Sequence, residues 1–282
     1  MLQFITSYFN FTNSNKIKQN YINFRKKFPY DIITIEVALP NQKFFIDDSI
    51  KIKCSNNQIL WQKERCLNIA LENLSPTTDS VSWIDADIIL HNDNFLNDAN
   101  DTLSNYKVAQ IFERVFELPN VNSTHNTISF AKDYIEGHHL DYAAVGFGWA
   151  MRREVLEYGF YDSDILGNSD CLQLISWLGL WNHRLVKQLT PKHRLHYLLW
   201  AIKSFNLVNS NIGCIKGDIE HMYHGSMINR AYVARSQILT DNNFDPGIDI
   251  KIDDNKLYVL SDSKPILQNQ ILNYFMDRKD DE

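Results

Sequence analysis

Residues 81–90, Val-Ser-Trp-Ile-Asp-Ala-Asp-Ile-Ile-Leu, form an apolar run that is interrupted by two carboxylates, Asp85 and Asp87. The run is short and β-prone, which predicts a buried strand that opens into a loop. An extended backbone would point both carboxylates the same way. Buried carboxylates are costly unless they are paired or bind a metal. Because ligands bind at the strand ends of open α/β sheets, the stretch favours a divalent cation that holds phosphates over a simple acidic turn.

The residues before this stretch alternate between strand and helix patterns. Residues 2–9 and 32–37 have strand patterns, and apolar residues recur at helical spacing between them. A strand, a helix and a strand over this length predict a parallel crossover unit. The sequence therefore predicts an α/β fold with a mostly parallel central sheet, and places the loop after the first strand on the ligand side.

Polar residues near the ends of those two strands are candidate ligand contacts. Thr6, Tyr8 and Asn10 either contact a nucleotide or belong to an ordinary polar turn. Glu36 either binds a base or ribose edge or is solvated at the rim of the sheet. Residues 41–56 are expected to form a loop or a short hairpin.

An amphipathic helix is predicted directly before the acidic stretch. Leucines between residues 60 and 74 mark its apolar face, and Ser75-Pro76 ends it. Its other face carries Lys63, Glu64 and Arg65, and such a charged face is usually only solvated. Because the helix leads into the acidic strand, Arg65 is the expected phosphate contact, since guanidinium pairs well with phosphate.

The composition is that of a globular domain. The chain has 282 residues, 44% of them apolar, which is enough for one large α/β domain or a domain with an appendage. The net charge of −6 argues against a general nucleic-acid binder. We expect no signal peptide and no transmembrane segment, and the four scattered cysteines fit reduced thiols in a cytoplasmic protein.

The middle of the chain is expected to form the acceptor side. Residues 118–140 are long, polar and irregular, and we place the wall of an acceptor pocket there. Gly146 permits close backbone approach to a ligand. Trp149 is a candidate for stacking on a sugar face, although core packing is the commoner use of an aromatic ring.

Asp170 stands before an apolar helix that is predicted over residues 171–180. As a cap it would satisfy free backbone amides, and as a general base it would take a proton from an attacking hydroxyl. The two roles are compatible.

The last third of the chain supplies histidines and a basic helix. A helix is predicted to begin at Thr190-Pro191, with His193 and His196 as surface or packing residues. A strand is predicted over residues 214–219. One neutral imidazole after it, from His221 or His224, can complete the site of Asp87. Since His224 precedes a glycine, we expect it to approach the ion, and we expect His221 to face away or to line the acceptor side. Residues 226–240 are expected to form a basic helix, and the tail to end in frayed residues.

Four motifs in this order resemble the GT-A fold glycosyltransferases, which are metal-dependent (DxD-containing) enzymes that use nucleotide sugars. They are Trp-Ile-Asp-Ala-Asp at 83–87, Gly-Phe-Gly-Trp-Ala at 146–150, Gly-Asn-Ser-Asp at 167–170, and His-Met-Tyr-His-Gly at 221–225 followed by Asn229-Arg230. The likeness covers residues 1–245.

The resemblance implies a GT-A (Rossmann-like) three-layer fold. Residues 1–115 would bind the nucleotide sugar, 116–245 would bind the acceptor, and 246–282 would be a C-terminal extension. It also implies Mn²⁺- or Mg²⁺-dependent transfer of a hexosyl group, with inversion, from a UDP- or GDP-linked sugar to a glycan, lipid-linked or protein acceptor. No nucleic acid is implied as a partner.

The resemblance also implies roles for individual residues. Asp85 would bind the ribose and the metal. Asp87 and His224 would bind the metal, with His221 as the alternative ligand to His224. Asp170 would be the base. Ser169 departs from the Glu or Gly of many relatives, and this departure bears on the assignment of the base and on the stereochemical outcome. The expected substrate contacts are Thr6, Tyr8, Asn10, Glu36, Arg65, Asp85, Ala86, Gly146, Trp149 and Arg230.

Two other functions compete with glycosyl transfer. A sugar-nucleotide nucleotidyltransferase would usually show a Gly-rich phosphate loop after the first strand, and residues 6–10 contain no glycine. A non-catalytic nucleotide- or sugar-binding module would retain the fold without the chemistry. Asp85 and Asp87 are both present, as are Asp170 and His224, which argues against a module that has lost its catalytic residues.

Overall fold

The computed structural model describes residues 1–117, 125–137, 143–231 and 234–282. The strands are β1 (Leu2–Phe9), β2 (Ile32–Ala38), β3 (Ile50–Lys53), β4 (Ser80–Ile84), β5 (Ile88–His91), β6 (Val108–Gln110), β7 (Arg114–Glu117), β8 (His125–Ile128), β9 (Gly148–Arg152), β10 (Ile212–Cys214), β11 (Asp218–His221), β12 (Ile250–Ile252) and β13 (Tyr258–Leu260). The helices are α1 (Asn15–Lys27), α2 (Lys63–Leu71), α3 (Phe95–Asn105), α4 (Phe130–Ile135), α5 (Ser169–Trp177), α6 (Arg184–Gln188), α7 (Pro191–Val208), α8 (Met227–Arg230), α9 (Ala234–Asp241), α10 (Pro246–Asp249) and α11 (Pro265–Asp277).

Seven of the described strands form the main sheet, in the order β10-β6-β9-β4-β1-β2-β3. Its neighbouring strands are parallel except where β9 runs antiparallel to both β4 and β6. Helices α1 and α3 contribute to the hydrophobic cluster on one face, and α2 and α5 to the cluster on the other. The expected α/β fold with a mostly parallel central sheet is therefore confirmed.

The alternation of side chains along β1 explains why it lies at the centre of this arrangement. Phe4 and Tyr8 pack into the cluster that contains α1, whereas Ile5 packs into the cluster that contains α2. Successive side chains of a strand point to opposite faces, so an apolar run of this kind is buried from both sides. In β4, Trp83 and Ile84 divide between the two clusters in the same way.

The acidic stretch begins as a buried strand that opens into a turn, as the sequence predicts, but its backbone does not stay extended through the two carboxylates, which corrects that part of the expectation. β4 ends at Ile84, Asp85 to Asp87 form a turn, and β5 then joins a second sheet of order β5-β11-β7-β8. The Asp85 amide donates to the Phe147 carbonyl (3.0 Å), and the Met222 amide donates to the Asp87 carbonyl (2.8 Å). These bonds hold the turn between the two sheets, so the carboxylates need not point the same way.

Other elements differ from the sequence-based prediction in extent. Residues 50–53 form β3, parallel to β2, within the segment predicted to be a loop or hairpin. The predicted basic helix over 226–240 is divided into α8 and α9. Of the predicted acceptor wall, residues 118–124 and 138–140 lie outside the described residues. Residues 125–137 contain β8 and α4, so this part is not irregular.

The C-terminal segment is packed rather than frayed. Helix α11 buries Leu267, Ile271 and Phe275 in the same cluster as the main sheet, and Arg278 and Asp280 are also buried. The Asp281 carboxylate accepts hydrogen bonds from the Ser14 hydroxyl (2.6 Å) and the Lys16 amide (2.8 Å) at the start of α1. The expectation of frayed final residues is thus wrong, because an amphipathic helix anchors them. The domain boundaries remain a prediction.

Among the helices of the described ranges, none has both the length and the apolar character needed to cross a bilayer. The cytoplasmic location stays a prediction.

Candidate active site

A cleft of about 560 Å³ opens where β1 and β4 end. This volume is in the range of small-molecule sites. Residues from distant parts of the chain line it, including the acidic turn, the segment before β9, the start of α5 and the C-terminal segment after α11. The residues that bear on its chemistry are Tyr8, Asn10, Trp61, Lys63, Asp85, Ala86, Asp87, Gly146, Asp170, His221, His224, Arg230, Arg235, Arg278 and Asp280.

Asp85 is paired with a lysine that sequence reasoning did not select. Lys63 Nζ lies 2.5 Å from Asp85 Oδ1 and 4.0 Å from the centroid of the Trp83 ring. Burial opposes the charge on Lys63, but the carboxylates of Asp85 and its neighbours raise the pKa of the ammonium above its usual value. Lys63 begins α2, which packs against β1. The cleft therefore contains a fixed positive charge beside one of its two central carboxylates.

Asp87, His221 and His224 bring three metal-ligating side chains together. His224 Nε2 lies 2.8 Å from Asp87 Oδ2, and His221 Nε2 lies 3.6 Å from the same oxygen. One ligand atom from each residue lies within 4.8 Å of the others. Of the two positions expected for His221, facing away is wrong, because β11 places the residue beside the acidic turn. Asp85 was expected to share the metal, but it does not belong to this group.

The donor set at Asp87 fits a divalent cation. Burial would raise the pKa of Asp87, but the two imidazoles hold it well below its usual range. Within the described part of the chain, Asp87 Oδ1 is buried without a hydrogen-bond partner. A carboxylate oxygen without a partner, next to two imidazoles, is an arrangement that a cation would satisfy.

A second carboxylate lies behind His224. Asp280 Oδ1 is 3.7 Å from His224 Nδ1, and Arg278 donates to the same oxygen at 3.0 Å. Burial opposes protonation of His224, but the nearby carboxylates of Asp280 and Asp87 raise its pKa. A carboxylate behind a ligating histidine fixes the orientation of the ring. The C-terminal segment therefore helps to build the site.

Asp170 faces the same cleft from the first turn of α5. Its Oδ1 accepts from the Cys171 amide at 2.8 Å. A Cβ at Gly146 would lie 3.0 Å from Asp170 Oδ2, so a glycine leaves room for this carboxylate. Gly167 has φ of +91°, and a Cβ there would lie 2.9 Å from the Trp61 ring. The turn into α5 thus depends on glycine for both its conformation and its contact with Trp61.

Four expected substrate contacts have other roles and do not line the cleft. The Thr6 hydroxyl is buried and donates to the Ile84 carbonyl (2.6 Å), which links β1 to β4. The Glu36 carboxylate accepts hydrogen bonds from the loop before β3, including one from the Ile46 amide (3.2 Å). Arg65 pairs with Asp162 (3.0 Å), and Trp149 is buried with its indole donating to the Val145 carbonyl (2.8 Å).

Other expected contacts do line the cleft: Tyr8, Asn10, Ala86, Gly146 and Arg230. Sequence reasoning missed Arg235 and Arg278, whose guanidinium carbons lie 5.7 Å and 5.4 Å from the centroid of the Trp61 ring. The apolar residues of α11 recur at helical spacing. This pattern is the sequence signal that predicts a packed C-terminal helix, and this helix brings Arg278 to the cleft.

The sequence matches no family model and no curated protein. Several solved structures share part of its shape. S. aureus TarS aligns with 98% of this chain and 43% of its own, at 12% identity and a TM-score of 0.45. A glycosyltransferase involved in glycosylation of the major capsid of PBCV-1 aligns with 85% of this chain and 98% of its own, at 10% identity and a TM-score of 0.34.

A third neighbour is 4-diphosphocytidyl-2C-methyl-D-erythritol synthase from Anaerococcus prevotii. It aligns with 97% of this chain and 96% of its own, at 8% identity and a TM-score of 0.31. The chain spans less than half the length of the TarS structure quoted above. None of these similarities is strong enough to assign a family or an activity to this chain.

Proposed function

We propose that this protein is a metal-dependent GT-A glycosyltransferase, which moves a hexosyl group from a nucleoside diphosphate sugar to an acceptor hydroxyl with inversion. The observation that carries the proposal is one cleft that contains the Asp87, His221 and His224 group together with the carboxylate of Asp170. Sugar transfer needs a stabilised diphosphate leaving group and an activated hydroxyl. The cleft contains side chains suited to each requirement.

The three ligating residues would hold Mn²⁺ in preference to Mg²⁺. Imidazole nitrogens suit transition metals better than Mg²⁺, which prefers oxygen ligands. When bound, the cation would neutralise the charge that develops on the diphosphate. His224 is the expected stronger ligand because its Nε2 lies 0.8 Å nearer to Asp87 Oδ2, at 2.8 Å against 3.6 Å for His221.

The cationic side chains of the cleft would bind the diphosphate. Arg230, Arg235, Arg278 and Lys63 all line it. Guanidinium groups match phosphate geometry and keep their charge at any working pH. Lys63 would also hold Asp85 in place, so that Asp85 contacts the ribose of a UDP- or GDP-linked donor. Tyr8 and Asn10 would contact the donor from the end of β1, and Ala86 would contact it from the acidic turn.

Asp170 would act as the general base. Its carboxylate lies in the first turn of α5 and lines the cleft, which places a proton acceptor where the acceptor hydroxyl would enter. It would take the proton of the acceptor hydroxyl as the bond to the anomeric carbon forms. The absence of a side chain at Gly146 leaves room beside Asp170 Oδ2, where the hydroxyl would approach. We propose a glycan, lipid-linked or protein acceptor, bound mainly by residues 116–245.

The test is incubation of the protein with UDP- and GDP-linked sugars and Mn²⁺, with an assay for free nucleoside diphosphate. We expect release that requires the metal and that increases with a suitable acceptor. Production of pyrophosphate from a nucleoside triphosphate and a sugar phosphate would instead identify a nucleotidyltransferase. Metal-dependent binding without release of product would identify a binding module.

A further inference from the structure

The charges of the chain are strongly segregated along the sequence. Residues 171–211 contain five Lys or Arg residues and no Asp or Glu. The rest of the chain holds all 34 acidic residues and 23 of the 28 basic ones. A protein with a net charge of −6 therefore has a segment of net charge +5. This segment begins directly after Asp170 in the first turn of α5, and it contains the rest of α5 together with α6 and α7, the three helices that we call the helical layer. Its basic residues are exposed: Arg184, Lys187, Lys192, Arg194 and Lys203.

Helix α7 presents aliphatic side chains to solvent in the middle of this basic segment. Leu195, Leu199 and Ile202 are 56%, 61% and 50% exposed. Their spacing places them on one face of the helix, which we call the α7 stripe. Tyr197 and Ala201 of the opposite face are fully buried in the helical layer. The stripe is thus the outermost surface of the helix and is not part of the core.

Neighbouring residues add further basic and apolar side chains to the surface around the α7 stripe. Lys192 and Lys203 flank the stripe on one side of the helix, and Arg194 flanks it on the other. Leu180 is 47% exposed, and the adjacent Trp181 ring packs against Phe205 of α7 with centroids 5.6 Å apart. Aliphatic residues outermost, with basic residues at the flanks, are the pattern of a helix that lies in a membrane interface.

We propose that the α7 stripe and its basic flanks dock this protein on an anionic membrane surface, with α7 lying parallel to the bilayer. The charge favours this occupant over a second copy of the chain. Two copies that met through this surface would bring two sets of basic residues together, without acidic side chains from the segment to compensate them. An anionic bilayer supplies both the opposite charge and an apolar layer for the leucines.

Helix α5 connects the proposed docking surface to the cleft. Helix α5 begins at the cleft with Asp170 and packs against α7, where the Tyr197 hydroxyl donates to the Leu172 carbonyl (2.8 Å). Leu185 of α6 also lines the cleft. The proposal rests on exposed residues outside the cleft, so it stands independently of the chemistry proposed above.

The test is flotation of the full chain with lipid vesicles in a density gradient. Vesicles of phosphatidylcholine alone are compared with vesicles that contain about one third phosphatidylglycerol. We expect binding to the anionic vesicles at about 0.05 M salt, and strong weakening at about 0.5 M, where screening shortens the range of surface charges. Equal binding to both kinds of vesicle, or binding to neither, would overturn the proposal.

Matched variants locate the surface. The triple variant Leu195→Gln, Leu199→Gln, Ile202→Gln should lose vesicle binding. The control carries Gln in place of isoleucines that are 71%, 50% and 68% exposed elsewhere, and it should bind normally; its positions are Ile248, Ile252 and Ile266. Because all these side chains are exposed, the melting temperature should change little in either variant.

The charge is tested in the same way. Lys192→Gln with Arg194→Gln should weaken vesicle binding about fivefold for each charge removed. Lys43→Gln with Lys251→Gln removes two exposed charges outside the helical layer and should have a much smaller effect. If the triple Gln variant binds vesicles normally, or converts a dimer in solution to a monomer without changing vesicle binding, the surface serves another partner and the proposal fails.

Discussion

The cleft and the helical layer behind it both bury ionisable side chains, but they surround them differently. In the cleft, His224 lies between Asp87 and Asp280, and these carboxylates raise its pKa. In the layer, His193 is 1% exposed and packs against the rings of Tyr161 and Phe244, and burial lowers its pKa to about 4. Neither ring nitrogen of His193 has a hydrogen-bond partner among the described residues.

The difference shows that burial alone does not mark a functional residue. A buried histidine without partners stays neutral and acts as a packing group. A buried histidine beside carboxylates retains polar interactions that a ligand can exchange for its own. Helix α5 joins the two regions, since Asp170 lies in the cleft and Leu172 and Ile175 pack in the layer. The two regions can therefore be tested by substitutions that affect one and spare the other.

The largest effect on turnover should come from Asp170. Asp170→Asn keeps the size of the side chain and its place in the first turn of α5 but removes the proton acceptor. We expect kcat to fall by roughly 10²–10⁴, the usual share of general-base catalysis, with normal donor affinity and a normal melting temperature. Steady-state kinetics at saturating donor and acceptor measure this. A loss of stability with retained turnover would show that Asp170 only stabilises the helix.

His193 should show the reverse pattern. The unfolded chain protonates this imidazole below pH 6.5, whereas the folded state resists protonation until about pH 4, so stability falls as the pH drops through this window. The fall amounts to about 3 kcal/mol. His193→Leu should remove this contribution and leave turnover unchanged. Urea unfolding of both proteins at pH 7 and pH 4 measures the difference, and parallel pH profiles would contradict the account.

The two histidines of the cleft should differ in metal affinity. His224→Ala should weaken Mn²⁺ binding by more than about 100-fold, beyond the effect typical of an outer partner. His221→Ala should weaken it less, because its Nε2 lies farther from Asp87 Oδ2. Calorimetric titration with Mn²⁺ alone gives both affinities. The opposite ranking would exchange the roles of the two residues.

The smallest expected effect in the cleft concerns Asp280. Asp280→Asn retains a hydrogen-bonding side chain behind His224 but removes its charge. Outer partners of metal ligands typically contribute 10–100-fold, so we expect Mn²⁺ affinity to fall by about tenfold. The neighbouring Asp281→Asn is the control, since Asp281 contacts the start of α1 rather than His224. Equal losses in both variants would mean that the C-terminal segment acts only by packing.

Much of the fold follows from local patterns in the sequence. The apolar runs of β1 and β4 and the Thr190-Pro191 start of α7 are signals that the structure confirms, with the Thr190 hydroxyl accepting from the His193 amide. These signals depend on residues that are close in sequence, so they can be recognised without knowledge of the fold.

The partners in the cleft do not follow from such patterns. Lys63 lies beside Asp85, and His224 lies beside Asp280, although the members of each pair are far apart in sequence. No rule of residue spacing predicts either pair. The guanidinium of Arg65 has the chemistry of a phosphate contact, but in the structure it pairs with the carboxylate of Asp162. The packed C-terminal segment is different, because the apolar residues of α11 recur at helical spacing and this local pattern predicts a packed helix.

The most direct test of the central claim is nucleotide binding by Asp87→Ala. Titration calorimetry with UDP and with GDP, each with Mn²⁺ and with a chelator, measures the dependence on metal. We expect the unaltered protein to bind one of the two nucleotides only with Mn²⁺, and the variant to lose this binding while it keeps its melting temperature, because the cation links Asp87 to the diphosphate. A variant that binds the nucleotide with unchanged dependence on Mn²⁺ would contradict the account.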